Sequence, residues 1–208
     1  EVNIKIALAP VVASGALPSN ERTAFLASMT DEVAALCLRN NYLQGLAISL
    51  AERAGTAELP DHRVLIEGLE ERGLLNRKVE FLPSDSVLDQ RAAQGKGLTR
   101  PELAVILAYA KLTLFDDLIA GTSIDNAYLH AELFRYFPQT LHDRFPASIE
   151  NHRLKREVIA TVLANAMINR GGPAFVSELM AGTSASAGDV ALAYAAVRDI
   201  YGLPALNT

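Results

Sequence analysis

The sequence has no tryptophan and a single cysteine, Cys37, and only 6% of its 208 residues are aromatic. One cysteine excludes an internal disulfide and a metal cage built from thiolates, and it suits the reducing cytoplasm. Half of the residues are hydrophobic, and most of these are Ala, Leu, Ile and Val. Such side chains predict a core packed between closely approaching helices, large enough for one or two domains.

Long apolar runs and an excess of positive charge are also missing. The longest apolar stretches, Leu103–Ala110 and Ala160–Ile168, fall short of the roughly 20 residues that span a membrane. The chain has 19 Lys and Arg against 24 Asp and Glu, a net charge of −5, whereas nucleic-acid binders usually present a basic face. We therefore expect a cytoplasmic protein with no membrane and no nucleic-acid partner.

Helical hydrophobic periodicity and helix-stop residues recur along the chain, and no strand-turn-strand pattern or internal repeat interrupts them. The sequence therefore predicts an all-α fold, a multi-helix bundle of about eight to ten helices. Beyond the first 16 residues, the predicted helices cover approximately 19–28, 30–53, 60–73, 83–95, 103–119, 125–136, 148–170, 173 onwards and 188–202.

The first 16 residues fit two patterns. Every second residue from Val2 to Leu8 is apolar, as in a strand, but apolar residues three and four apart also define a helical face. Pro10 removes a backbone donor and disfavours a continuous helix. We favour a short helical run that ends near Gly15.

Two helix starts carry capping signals. Thr30 can cap the backbone amides of a long helix, and acidic residues follow it in the first turn. Thr99 and Glu102 have the spacing of a capping box, in which each side chain binds the other residue's backbone amide. The helix behind this box, 103–119, is apolar on nearly every face, which predicts a position in the middle of the bundle.

Lys111 and Cys37 are the first candidates for chemistry. Lys111 is the only charged residue within the apolar part of its helix, and a desolvated lysine can act as a base or a Schiff-base nucleophile. We favour the alternative, in which its stem lies along the core and its ammonium reaches a carboxylate or water. Cys37 lies between Ala and Leu residues, which predicts core packing.

The four histidines are His62, His130, His142 and His152. No pair has the spacing of a helical metal motif, so we expect surface or capping roles, although a metal site assembled from distant positions stays open. Two glycine clusters, 95–97 and 171–172, lack the order of a phosphate loop and indicate turns and helix ends.

Asn165, Asn169 and Arg170 form the most informative polar group. The two asparagines are four apart, within the angular range of an apolar stripe, so each is expected to bond to another helix or to a loop. The structural interpretation is that they fix the register of neighbouring helices, and this is the one we favour. The functional alternative is a polar pocket that holds a small anion or a loop of a partner.

Several motifs resemble, in the same order, the large bacterial NAD-specific glutamate dehydrogenases. They are Met29–Val33, Arg39–Gln44, Glu80–Ser84, Leu98–Val105 with Ala108–Lys111, Arg135–Pro138, His152–Leu154 with Arg156–Glu157, and Asn169–Gly172. The resemblance implies a parent enzyme that oxidises L-glutamate to 2-oxoglutarate and ammonium with NAD, with its active site upstream of Glu1. It implies that residues 1–16 end, or link from, a preceding dehydrogenase domain that is absent here, and that residues 17–208 form a C-terminal helical domain.

Two functions of different classes follow. The first is a C-terminal segment with a structural, assembly or regulatory role, with no catalytic, cofactor-binding or metal-binding residue and no cofactor of its own. Its partners would be the upstream dehydrogenase domain of the same chain and other copies of the parent, which alone would bind NAD. The second is a free-standing helical module that binds another protein. A remoter third function is an independent lysine- or metal-dependent enzyme.

Overall fold

The chain is mainly helical in the part that the computed structural model describes, residues 2–203, and these residues contain no β-strand. They form twelve α-helices, ten of them with seven or more residues, so the prediction of an all-α bundle is confirmed. The helices are α1 (Val2–Ala13), α2 (Arg22–Ser28), α3 (Thr30–Ala54), α4 (Leu59–Glu71), α5 (Asp85–Ala93), α6 (Arg100–Ala120), α7 (His130–Tyr136), α8 (Gln139–Arg144), α9 (Pro146–Glu150), α10 (Lys155–Gly171), α11 (Phe175–Thr183) and α12 (Ala187–Ile200).

Helices α6 and α10 form the centre of the bundle. They pack against each other, α3 and α12 contact both, α4 packs on α6, and α7 and α11 pack on α10. The buried face of α6 carries Leu103, Ile106, Leu107, Ala110, Leu114 and Leu118. The opposite side is not covered, because Leu112 is 61% exposed. The central position of α6 is confirmed, but burial on every face is wrong. No described helix is both long and apolar enough to cross a membrane.

The capping box at the start of α6 forms as predicted, with both reciprocal contacts between Thr99 and Glu102 present. The Thr99 amide donates to Glu102 at 2.7 Å, and the Arg91 guanidinium donates twice to the same carboxylate, at 2.6 and 3.0 Å. The predicted cap by Thr30 is wrong. Since one residue separates α2 from α3, the Thr30 hydroxyl donates instead to the Ala27 carbonyl, at 2.8 Å, and satisfies a free carbonyl of α2.

The predicted helix over 148–170 is broken in two. Its N-terminal part belongs to α9, and α10 begins at Lys155. Between them lies His152, whose Nδ1 accepts the Leu154 amide at 3.1 Å and whose Nε2 therefore donates to the Asn3 carbonyl of α1 at 3.0 Å. This buried histidine replaces helical hydrogen bonds with a contact to another helix, which an apolar stripe in the sequence does not reveal.

Other element boundaries differ less. The first residues are helical as favoured, and α1 continues through Pro10 to Ala13. The six-residue helix α8 is absent from the prediction, and α11 begins at Phe175 instead of Pro173. The final helix begins at Ala187 because Ser186 and Asp189 form a second capping box, with the Asp189 amide donating to the Ser186 hydroxyl at 3.2 Å.

The glycine clusters act as turns and helix ends, as predicted. Gly95 and Gly172 adopt left-handed backbone conformations just beyond α5 and α10, with φ of +72° and +88°. Gly97 has a different role, because a Cβ there would lie 2.6 Å from the carbonyl oxygen of Gly55. The loops after α3 and α5 therefore meet backbone to backbone.

Candidate functional site

A cleft of about 300 Å³ opens between α3 and α10, with arginine and asparagine side chains set in a mainly apolar lining. The end of α7 adds Arg135 and Tyr136 to the lining, the turn to α8 adds Pro138, and α1 adds Ile4. The predicted group of Asn165, Asn169 and Arg170 lines this cleft on the α10 side. The structure thus brings the three predicted residues together at one cavity.

The lining concentrates positive charge in an acidic chain. Arg39, Arg135 and Arg170 line the cleft, and no Asp or Glu within residues 2–203 does. Asn40 adds an amide from α3, and an apolar wall includes Leu36. A cleft of this kind suits an anion with a hydrocarbon part, because planar guanidinium groups bind carboxylates through paired hydrogen bonds.

The two asparagines of α10 behave differently. Asn169, only 3% exposed, donates from Nδ2 to Oδ1 of Asn40 at 3.0 Å, so its predicted bond to another helix is confirmed. Its own Oδ1 is buried and has no hydrogen-bond partner among the described residues. Asn165 is half-buried, and the described residues give it no hydrogen bond, so the expected bond is wrong for this residue.

The three arginines also differ in whether nearby carboxylates compensate their charge. Behind the lining, Arg135 lies 3.3 Å from a Glu132 oxygen and 3.1 Å from an Asp199 oxygen. Arg170 donates to the Ala166 carbonyl at 3.4 Å, and Arg39 is exposed. Within residues 2–203, neither Arg39 nor Arg170 forms an ion pair, so both charges are free to meet an anion.

Cys37 also lines the cleft, and it is exposed. The prediction of core packing is therefore wrong. At this level α3 has neighbours on one side only, so a residue between apolar neighbours in sequence can still face open space.

Lys111 is half-buried, and its Nζ donates to the amide oxygen of Gln44 at 2.8 Å. Burial lowers the pKa of Lys111 to about 8. The favoured arrangement, a stem along the core with the ammonium at its edge, agrees with this geometry, but an amide of α3 takes the place of the expected carboxylate or water. Lys111 does not line the cleft between α3 and α10.

The four histidines differ in burial, which the sequence did not reveal. His62 and His152 are buried, His142 is half-buried against the Phe134 ring, and His130 is exposed. A surface or capping role is thus wrong for His62. Among the described residues, no group of three or more His, Cys, Asp or Glu side chains could hold a metal ion.

His62 makes the stability of the chain sensitive to acid. Burial lowers its pKa to about 4, and neither ring nitrogen has a hydrogen-bond partner among the described residues, with Glu58 at 3.5 Å. Between pH 6.5 and 4 the unfolded chain therefore binds a proton that the folded chain does not, and folding stability falls as the pH falls. We expect this group to remove about 3 kcal/mol over that window.

Denaturant titrations of His62→Leu at pH 7 and pH 4 check this prediction. The variant should lose less stability on acidification than the wild type, while the exposed control His130→Leu should lose as much. The pKa of Glu58 is raised by burial and by Asp61, so its titration changes the folding stability with pH in the opposite direction. Glu58 is present in the wild type and in both variants, so the differences between them report on the histidines. Equal acid losses in wild type and His62→Leu would contradict the assignment.

Sequence reasoning missed a buried ion pair between α7 and α12. Arg198 and Glu132 are 3% and 1% exposed, and two hydrogen bonds join them, at 3.0 and 2.5 Å. Arg198 also binds Asp199 at 2.9 Å, which in turn accepts from the Tyr128 hydroxyl at 2.9 Å. A signal was present, because Arg198 follows the buried Ala191 and Ala195 at helical spacing.

The fold and the cleft define the chain as an all-α bundle with an arginine-lined cleft. Comparison with known protein families identifies the family of the chain. Residues 95–208 match the family model described as glutamate dehydrogenase, C-terminal, and residues 1–51 match that of the bacterial NAD-glutamate dehydrogenase, catalytic domain. The first match covers more than half of the chain, so the chain belongs to the glutamate dehydrogenase C-terminal family.

Curated relatives agree with the resemblance seen in the motifs. The NAD-specific glutamate dehydrogenase of Pseudomonas aeruginosa is 44% identical over 204 residues, that of Halomonas elongata 42% over 206, and that of Mycobacterium tuberculosis 36% over 204. These alignments cover 98%, 99% and 98% of this chain but only 13%, 13% and 12% of the relatives. The chain therefore spans about an eighth of their length.

Proposed function

We propose that this chain is the C-terminal helical part of a cytoplasmic NAD-dependent glutamate dehydrogenase and that it supports the catalytic region of the same polypeptide. The parent would convert L-glutamate, NAD and water to 2-oxoglutarate, ammonium and NADH. Residues 1–16 would end, or link from, the dehydrogenase domain, and 17–208 would form the helical domain. The identities to three NAD-specific glutamate dehydrogenases support the parent activity.

In this proposal the segment supplies no catalytic, cofactor-binding or metal-binding residue, and NAD binds elsewhere in the parent. The placement of the most reactive candidates supports this. A lysine that acts as a nucleophile must lose a proton to a nearby base, but the Lys111 ammonium contacts an amide oxygen. His152 uses its two ring nitrogens to join α1 to the start of α10. The segment would act instead through docking and through the assembly of parent subunits.

One observation carries the docking role: α3 is apolar on two faces, and the bundle covers only one. Ala47 and Ala51 are buried against the bundle. On the outer side, Leu38, Tyr42 and Leu46 follow at intervals of four, and they are 68%, 68% and 37% exposed. We call these three residues the outer stripe.

An apolar stripe along a helix marks a contact surface when it is contiguous. The outer stripe lies within the residues that match the catalytic-domain model, 1–51, which makes the remainder of that domain its expected cover. Burying each of its large side chains would contribute about 1.5–3 kcal/mol. A free-standing module would offer the same stripe to another protein, but the catalytic-domain match favours a cover from within the parent.

To test the proposal, Leu38→Glu and Tyr42→Glu are introduced separately into the full-length enzyme. Since each places an unpaired carboxylate in an apolar contact, we expect subunit assembly or glutamate oxidation to fall at least about tenfold. The controls Leu38→Met and Tyr42→Phe keep the apolar surface and should stay within about twofold of the wild type. Sedimentation and NADH formation report the two outcomes, and wild-type values for both charged variants would reject the docking role.

A further inference from the structure

We propose that the cleft between α3 and α10 binds a small organic carboxylate, held by Arg39 and Arg170 and oriented by Asn169. This site is separate from the docking role of the outer stripe and does not depend on it. The ligand class follows from three properties of the cleft: its charge, its unsatisfied buried amide and its apolar wall.

The charge selects an anion. Arg39 and Arg170 reach the cleft from different helices, and the described residues give neither one a carboxylate partner. The third guanidinium, that of Arg135, already forms ion pairs with Asp199 and Glu132 behind the lining, so it attracts an anion less strongly. Because no Asp or Glu of the described residues lines the cavity, an entering carboxylate meets two guanidinium groups without an ion-pair partner and no described carboxylate that would repel it.

The buried amide selects a ligand that also donates a hydrogen bond. Asn169 is 3% exposed, and the contact with Asn40 uses its Nδ2, which leaves Oδ1 buried without a partner among the described residues. Native structures rarely leave a buried polar atom unpaired without a reason. A hydroxyl or ammonium group next to the carboxylate would satisfy this oxygen.

The apolar wall separates an organic acid from an inorganic anion. Leu36, Leu43 and Val162 line the cleft beside its polar residues. A hydrocarbon backbone can contact these side chains, whereas inorganic phosphate has nothing to place there. The cavity of about 300 Å³ lies at the lower end of the range for small-molecule sites. The cleft therefore favours a hydroxy- or aminocarboxylate of a few carbon atoms over phosphate.

The position of the cleft gives such a ligand a mechanical consequence. Arg39 lies on α3, within the residues that match the catalytic-domain model, and Arg170 lies on α10, within those that match the C-terminal family. One carboxylate bound to both arginines would hold the two parts together at their shared cleft. Binding would then stabilise the packing of α3 on α10.

Calorimetric titration of the full-length enzyme with L-malate, succinate and inorganic phosphate tests the site. The active site of the parent can also take a dicarboxylate, so the informative quantity is the binding component that cleft variants remove. We expect Arg39→Met and Arg170→Met each to weaken one L-malate component at least about tenfold. Succinate, which lacks the hydroxyl, should bind this component more weakly, and phosphate more weakly still.

Two further variants keep the test decisive. Arg39→Lys retains the charge but not the fork of donors, and it should fall between wild type and Arg39→Met. Arg100→Met removes an arginine outside the cleft, one that pairs with Glu52 at 2.7 Å, and it should leave every component unchanged. The proposal is overturned if the Arg39→Met/Arg170→Met double variant keeps all L-malate binding, or if phosphate binds the component as tightly as L-malate.

Discussion

Replacing Arg198 with methionine is expected to lower the free energy of unfolding by about 3–5 kcal/mol. The change leaves the carboxylate of Glu132 buried, at 1% exposure, without the two hydrogen bonds that compensate it. The remaining neighbour, Arg135 at 3.3 Å, offsets part of that cost and places the result towards the lower end. Urea denaturation of the 208-residue chain measures the difference.

A matched control separates burial from ion pairing as such. The pair of Arg100 and Glu52 has a similar distance, 2.7 Å, but its side chains are 49% and 46% exposed. Arg100→Met should therefore cost less than about 1 kcal/mol. Replacing Glu132 and Arg198 together by Met should cost less than the sum of the single changes, because no charge is then left buried alone. Similar losses in Arg198→Met and Arg100→Met would contradict the account.

Replacing Leu107 with alanine should destabilise the chain by about 2–5 kcal/mol. Leu107 is 1% exposed and belongs to the face of α6 that packs into the centre of the bundle. Its truncation removes buried apolar surface and leaves a cavity that the surrounding helices fill only in part. Thermal or urea unfolding of the chain measures the loss.

The same helix provides the control for this change. Leu112 has the same side chain and lies five positions further along the helix, but it is 61% exposed. Leu112→Ala should change the stability by no more than about 0.5 kcal/mol. If the two alanine variants lost similar amounts, the central position of α6 would be wrong.

Local features of this sequence predict where the helices lie, but they do not predict which faces of the helices are buried. The periodicity, the glycines at 95 and 172 and the Glu102 cap all act within a few residues of each other, so they can be recognised without tertiary structure. Whether an apolar face is covered depends on which other helices lie beside it. For that reason α6 was placed correctly, while the exposure of Leu112 and Cys37 was not foreseen.

Half of the candidate site could be recognised in the sequence. Asn169 and Arg170 stand out because they follow an apolar stripe on α10. Arg39 and Asn40 complete the cleft from a helix about 130 residues earlier, and the pairing of Asn169 with Asn40 spans 129 positions. No local spacing rule joins residues that far apart, since the contact arises only when α3 packs on α10.

The buried pair of Glu132 and Arg198 shows the same limit. The two residues are 66 positions apart, and each lies among apolar neighbours on its own helix. A charge on a buried stripe indicates that a partner is needed, but the sequence does not say which residue provides it. The helix break at His152 likewise depends on a residue distant in sequence, because His152 binds the carbonyl of Asn3 in α1.

The central claim, that the rest of the parent covers the outer stripe of α3, is tested most directly by thiol labelling at Tyr42→Cys. The change is made in a Cys37→Ser background, because Cys37 is exposed, and labelling is read for this peptide by mass spectrometry. In the 208-residue chain, where Tyr42 is 68% exposed, labelling should be fast. In the full-length enzyme we predict labelling at least about 100-fold slower, as for a contact that opens at a cost near 3 kcal/mol. Equal rates in the two proteins would show that the stripe is open in the enzyme and would contradict the account.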